Sequence, residues 1–394
     1  MLKHKSVHRF VITLMATLAL ALAHPQPAMA EPAKAVTEDD AFYQKAYLQL
    51  STKNYAELEQ SFKQHLDLYA RNEITAEELA NMFETFSKTS GLDPRYDEWI
   101  NAYPESYSAR LARGIFRSAT AWEKRGNDYA NNTTDSQFRR FDETLEDARA
   151  DLLLSLKLYA RPVNSYRYLI RVSKGLGLDD ERDWLDAALK LDPKAYNPRF
   201  EYMDSIAPKW GGDEDLMAEF LEESNKSPMS DKHKKIIEGK YFYLLGEQAK
   251  FGKDWKTAAD NFYKYYLTNK NPANLQMSGQ SLFDGDFKDL AFQRFDQLVK
   301  DHPEYPYGYE LRAYLYEFHF KNIEKAIADY LAAAELGANW SQNRMGWFYM
   351  MGINVPVDYS KARRLLEMAA KQGNNTAKEN LVILERLSPS GPVK

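Results

Sequence analysis

The sequence predicts an all-α fold, a solenoid of antiparallel helix pairs. Three observations carry the prediction. Beyond position 40 almost every apolar residue recurs at spacings of three and four, the period of one helix face. Strand-like alternation is scarce and the Asn-Gly hairpin signal is absent. Small residues return at fixed offsets, as they do in repeats. Gly246, Ala258 and Phe262 stand twelve and four apart, and Gly279, Ala291 and Phe295 repeat those offsets 33 residues later. Ala326 with Tyr330 and Ala362 with Leu366 continue the frame, and Ala46, Leu58 and Phe62 keep it upstream with a larger middle residue.

The offsets have a mechanical meaning. Two antiparallel helices cross closely only where neither carries a bulky side chain. Gly246 and Ala258 are expected to make that contact, with Phe242 and Phe262 filling the space on either side. A single hairpin leaves an apolar face open, so stacked neighbours stabilise it.

Composition bounds the function. The chain has 394 residues, 44% of them hydrophobic and 28% charged, with 57 acidic residues against 52 Lys and Arg. A net charge of −5 does not suit wrapping of nucleic acid or adsorption to anionic lipid. There is no cysteine. Disulfides, thiolate zinc sites, iron–sulfur clusters, a cysteine nucleophile and a lipoprotein anchor are therefore excluded.

Residues 1–30 have the three parts of an export signal. Lys3, Lys5 and Arg9 form a positive head, Phe10 to Ala23 an apolar run, and Ala28-Met29-Ala30 a small-residue cleavage site. The run falls short of the roughly 20 apolar residues a spanning helix needs. Cleavage after Ala30 is expected to leave a chain with no membrane anchor, periplasmic in a Gram-negative cell or otherwise secreted. A polar lead-in, 31–40, follows. Residues 41–228 read as an N-terminal helical domain, cap-like on the solenoid. Leu191-Asp192-Pro193 ends one of its helices, and Lys226-Ser227-Pro228 interrupts the pattern before Ser230, a candidate N-cap. Residues 230–384 read as repeats, with a break at Asp301-His302-Pro303, and 385–394 as a disordered tail.

Phe242, Leu245-Gly246, Ala258 and Phe262 resemble the tetratricopeptide consensus, as do Leu275, Gly279, Leu282, Ala291, Phe295 and Pro303. Residues 341–377 resemble the Sel-one-like variant, through Met345-Gly346, Tyr349, Gly352, Asn354-Val355, Asp358, Lys361-Ala362, Ala369-Ala370 and Gly373. Asn354 stands where that family usually has glycine, and asparagine also tolerates a left-handed backbone. The resemblance implies a right-handed solenoid and an interaction module. Trp99 with Tyr103-Pro104, Ala121-Trp122 with Arg125-Gly126, and Pro208-Lys209-Trp210-Gly211-Gly212 are similar to an uncharacterised bacterial helical domain of unknown function, over roughly residues 41–225. That resemblance implies a helical fold and no activity.

No catalytic set or cofactor motif assembles. His65, His233, His302 and His319 read as surface residues at helix ends, with no metal-ligand spacing. Gly175-Leu-Gly177 reads as a C-cap, and Asp284-Gly-Asp286 with Asp289 as a repeat turn rather than a calcium loop. Two motifs are binding candidates. Trp210 with Gly211 and Gly212 offers either a ring for a sugar or peptide beside a closely approaching backbone, or a tight turn with the tryptophan as a buried plug. Trp122 and Arg125 share a helix face, where Arg125 serves an acidic partner or the helix end. Lys232-His233-Lys234-Lys235 reads as a solvated helix start.

The expected function is a scaffold or adaptor for a protein or peptide partner in the cell envelope, without cofactor or metal. The alternatives are a cell-wall-active enzyme, which predicts a cleft with paired carboxylates of perturbed pKa, and a subunit of an envelope export assembly.

Overall fold

The structure, a computed structural model, describes residues 38–89, 91–126 and 133–388. Residues 1–30, read above as an export signal, therefore lie outside the described residues. So do 31–37 of the lead-in and 389–394 of the tail. The described residues form nineteen α-helices and no strand. The N-terminal part holds α1 (Glu38–Ser51), α2 (Tyr55–Ala70), α3 (Ala76–Glu84), α4 (Asp93–Ala102), α5 (Tyr107–Arg125) and α6 (Asp135–Ser155). It continues with α7 (Val163–Leu176), α8 (Glu181–Leu191), α9 (Asn197–Ser205) and α10 (Glu214–Lys226). The repeats follow as α11 (Asp231–Phe251), α12 (Trp255–Asn269), α13 (Pro272–Asp284), α14 (Lys288–Asp301) and α15 (Pro306–Phe318). They close with α16 (Ile323–Glu335), α17 (Asn339–Met351), α18 (Tyr359–Lys371) and α19 (Asn375–Leu387). From α11 onward each helix packs on its neighbours in sequence, as in a solenoid.

Local chemistry sets the helix ends. Ser230 accepts the His233 amide and starts α11, as its sequence position suggests. Thr75 with Glu78 and Thr134 with Gln137 form full capping boxes on α3 and α6. Gly177 ends α7 at φ 64°, a left-handed C-cap. Gly373, at φ 87°, turns the chain between α18 and α19, and Asn354 takes the left-handed conformation at φ 57°. Helix α19 continues to Leu387, so 385–387 are helical where the sequence suggested disorder. Arg363 on α18 holds that last turn, bonding the Glu385 carboxylate at 2.9 Å and the Ser388 carbonyl at 3.1 Å.

The repeat frame closes in a different way from the one its offsets suggested. Gly246 faces the Phe262 ring, and a Cβ there would lie 2.6 Å from Cε1. Gly279 faces Phe295 at 2.4 Å and Gly346 faces Leu366 at 2.7 Å. Glycine against the large residue is thus the close contact. Ala258, Ala291, Ala326 and Ala362, all buried, sit nearer the turn. Residues pair when equidistant from the turn, and Ala258 and Phe262 bracket the level of Gly246. The turn itself recurs. Lys53, Lys253, Asp286 and Lys321 take φ 63°, 60°, 67° and 56°, each one residue before the N-cap of the following helix. The α1–α2 pair therefore uses the hairpin turn of the repeats.

Two cores fill the N-terminal part. The larger includes Phe62, Phe86, Trp99, Ile115 and Leu152. The second gathers Leu185, Met203, Met217 and Phe220 with Ile237 and Leu244 of α11. It thus runs across the interruption at Lys226-Ser227-Pro228. Helix α9 lies at its centre, packed on α7, α8, α10 and α11. With neighbours on so many sides it buries Arg199, Glu201 and Asp204 as well as Met203.

One buried acid is expected to make the repeats pH-sensitive. Glu310 on α15 is 6% exposed and accepts the Ser341 amide at 3.1 Å and its hydroxyl at 2.7 Å. Burial pushes its carboxyl from the usual 4.5 up to about 7, against the pull of those two bonds. The folded state holds the proton more tightly than the unfolded chain. Glu310's stability contribution is therefore full below pH 4.5 and is lost as pH rises through about 7. The span corresponds to roughly 3 kcal/mol. Replacing Glu310 with Gln is expected to gain on the wild type as pH climbs from 5 to 8, read as the difference between their melting temperatures. Parallel curves would refute this role for Glu310.

Candidate functional site

The two motifs singled out in the sequence meet in space. Helix α5 carries Trp122 near its C-terminus. The Pro208–Trp210 3₁₀ turn carries Trp210, and the two rings pack edge to face with centroids 5.7 Å apart. The Lys174 ammonium on α7 lies 5.6 Å from the centre of Trp122 and 5.2 Å from that of Trp210. Cation–π attraction thus joins three elements. Arg125 stacks 5.7 Å over Trp122 and 5.9 Å over Phe138 of α6.

The glycines of this motif have structural work. Gly211 adopts φ 97°, which side chains rarely tolerate. A Cβ on Gly212 would fall 1.9 Å from the Ile206 carbonyl oxygen. Together they make the tight turn into α10. Trp210 is not the plug that a turn of this kind suggested, because it remains 36% exposed. Its ring leans on Trp122 at the surface while the backbone alone closes the turn.

Beneath the tryptophans lies Asp204 of α9. Lys174 and Lys240 each reach its carboxylate at 2.6 Å, and Lys209 reaches it at 3.6 Å. Burial alone would raise this acid. The three ammonium groups outweigh burial and hold it well below the usual carboxylate range. The neighbouring Glu201 is likewise lowered, with Arg167, Arg171 and Lys174 overcoming its burial. Burial pulls the Lys209 ammonium down, and Asp204 partly restores it. One acid facing three lysines leaves the cluster with excess positive charge.

Lys240 also opens onto a cavity of about 550 Å³ between α9, α11 and α12. Phe200, Tyr243 and Tyr265 give it aromatic walls, and Lys232, Lys235 and Lys240 line it along α11. None of its lining residues is acidic. Gly239 belongs to the floor, where a Cβ would meet the Thr268 hydroxyl at 2.8 Å. The basic run at 232–235 is therefore half of a cavity wall and not merely a solvated helix start. Its His233 stacks on Tyr196 at 4.4 Å and meets Glu77 of α3 at 2.7 Å.

Nothing in the sequence marks Lys174, Asp204, Lys240, Phe200 or Tyr243 as site residues. A helix with no continuous apolar face, α9, was the one available hint. The carboxyls pushed upward, Glu59, Glu181, Asp284 and Glu310, stand on four different helices, and none lines the cavity. His302 and His319 cap α14 and α15 as expected. His65 instead lies within α2, bonded to the Ser61 carbonyl and packed on Phe42. Among the described residues no group of three or more His, Asp or Glu is placed to hold a metal. No described helix is long and apolar enough to cross a membrane.

Residues 341–374 match the Sel1 repeat, and residues 42–181 match a domain of unknown function, DUF4034. No curated protein matches the chain. Among solved structures, a Sel1 repeat protein from Oxalobacter formigenes is similar at 18% identity and a TM-score of 0.34, covering 93% of this chain and 99% of that one. A protective antigen of uropathogenic Escherichia coli with an SLR fold is similar at 13% identity and a TM-score of 0.37, covering 90% and 89%. Yeast Tom70 is similar at 13% identity and a TM-score of 0.36, covering 89% and 88%. The chain is an all-α helical-repeat protein in which a DUF4034 domain, residues 42–181, precedes a Sel1 repeat at 341–374.

Proposed function

We propose that this chain is an exported scaffold that holds a protein or peptide partner of the cell envelope. The supporting observation is the aromatic and cationic cavity between α9, α11 and α12, tied to the Trp122–Trp210 pair through the Lys240–Asp204–Lys174 ion pairs. Solenoids of this kind present extended surfaces to partners. Tyrosine and tryptophan supply large contact areas at small entropic cost. The export part of the proposal rests on the cationic head, apolar run and Ala-Met-Ala of residues 1–30.

The test is fractionation of the tagged chain, followed by cross-linked pull-down from the exported fraction and mass spectrometry. A processed chain bringing down one stoichiometric partner is expected. Trp210→Ala is expected to reduce that partner's recovery while the melting temperature stays within roughly 3 °C of wild type. A chain retained in the cytoplasm would overturn the export reading. No partner across several growth conditions would overturn the scaffold reading.

A further inference from the structure

Resting on the scaffold reading, we infer that the α9–α11–α12 cavity takes an acidic peptide segment in extended form, with carboxylates about four residues apart. Charge complementarity selects the occupant. The lining carries three lysines and no acid, in a chain whose net charge is −5. Glu77 approaches the cavity only at its rim, 4.0 Å from Lys232. Lys235 is exposed and has no ion-pair partner among the described residues. Lys240 is held in place by Asp204 at 2.6 Å, itself bound by Lys174 at 2.6 Å. The inner end of the wall is thereby fixed before any ligand arrives.

Spacing keeps a compact anion from engaging the whole row of lysines. Lys232 and Lys240 are eight residues apart on one helix, about 12 Å along its axis. One phosphate or carboxylate does not bridge that distance. An extended chain advances about 3.3 Å per residue, so acids four positions apart span about 13 Å. The aromatic walls favour peptide over acidic glycan. A sugar needs a free ring face, and one face of Phe200 is already covered by the Lys240 ammonium at 4.8 Å. Tyr243 and Tyr265 lie against each other with centroids 5.7 Å apart. Between them and Phe200 an apolar side chain fits, flanked by the two acids.

The probe is a labelled nine-residue peptide with glutamates at positions 1 and 5 and leucine between them. The control is an isomer of the same composition with adjacent glutamates. Both are titrated against the full exported chain by fluorescence anisotropy. The spaced peptide is expected to bind at least tenfold more tightly than the isomer, and more weakly as salt rises. Lys232→Glu combined with Lys235→Glu is expected to lose at least tenfold in affinity with an unchanged melting temperature, since both side chains are exposed. Equal binding of the isomers, undiminished binding by the double variant, or displacement by polygalacturonate in preference to the peptide would each overturn the assignment. If the double variant still recovers the envelope partner in full, the cavity assignment fails and the scaffold reading stands.

Discussion

Replacing Asp151 with Ala is expected to cost about 3–5 kcal/mol of stability, a fall in melting temperature on the order of 10 °C. Asp151 is buried on α6 with its side chain 2% exposed, and it faces three arginines of α5. Arg113 binds it through two nitrogens at 2.7 and 2.6 Å, Arg117 at 2.8 Å and Arg110 at 3.3 Å. Removing the carboxylate leaves three guanidinium groups crowded together with one acid removed from their midst. Arg113 keeps Asp97 at 2.5 Å, while Arg117 keeps only the Asp147 carbonyl at 3.4 Å. Denaturant unfolding of the variant measures the loss. The double variant Asp151→Ala with Arg113→Ala should lose less than the sum of its parts, because the second change relieves the repulsion left by the first. A loss below about 1 kcal/mol for Asp151→Ala would mean that water replaces the carboxylate fully.

Gly279→Ala is expected to destabilise by about 1–3 kcal/mol although it adds one methyl group. The methyl would sit 2.4 Å from Cε1 and 2.8 Å from Cδ1 of Phe295, a ring that is itself fully buried. Neither helix can retreat alone, since α13 and α14 each pack on the next helix as well. Leucine opposite glycine leaves no more room, since a Cβ on Gly346 would lie 2.7 Å from Leu366, so the partner must shrink further. Phe295→Ala should therefore be costly in the wild type and less so beside Gly279→Ala. Thermal melts of the two single variants and the double variant check this, and additive losses would refute the ring contact as the cause.

The fold was legible because its signals are local. Gly246, Ala258 and Phe262 lie within one hairpin, so their spacing alone marks the turn between them. The caps at Ser230 and Gly177 depend on residues three or four positions away. The site was half legible. Trp122 and Trp210 stood out as isolated motifs, yet nothing in their spacing shows that the rings touch. Asp204 owes its two close lysines to positions 30 and 36 residues away, and such pairing leaves no periodic trace. Helix α9 is hard to read for the same reason. Neighbours on most of its sides satisfy its charges one at a time, so no apolar stripe is needed.

The long-range ties in the N-terminal part bear on how the chain responds to force. Tyr69 reaches Asp192 and Glu77 reaches His233, pairs 123 and 156 residues apart, whereas each helix from α12 to α19 contacts only its near neighbours. Tension applied at the C-terminal end loads α19 first, then α18, so that end peels one hairpin at a time with little rise in resistance. The peeling front stalls at α11, where the second core and the Glu77–His233 contact must give way together. A pull on the repeats is thus expected to meet a compliant arm mounted on a stiffer base, with the cavity at the fixed end.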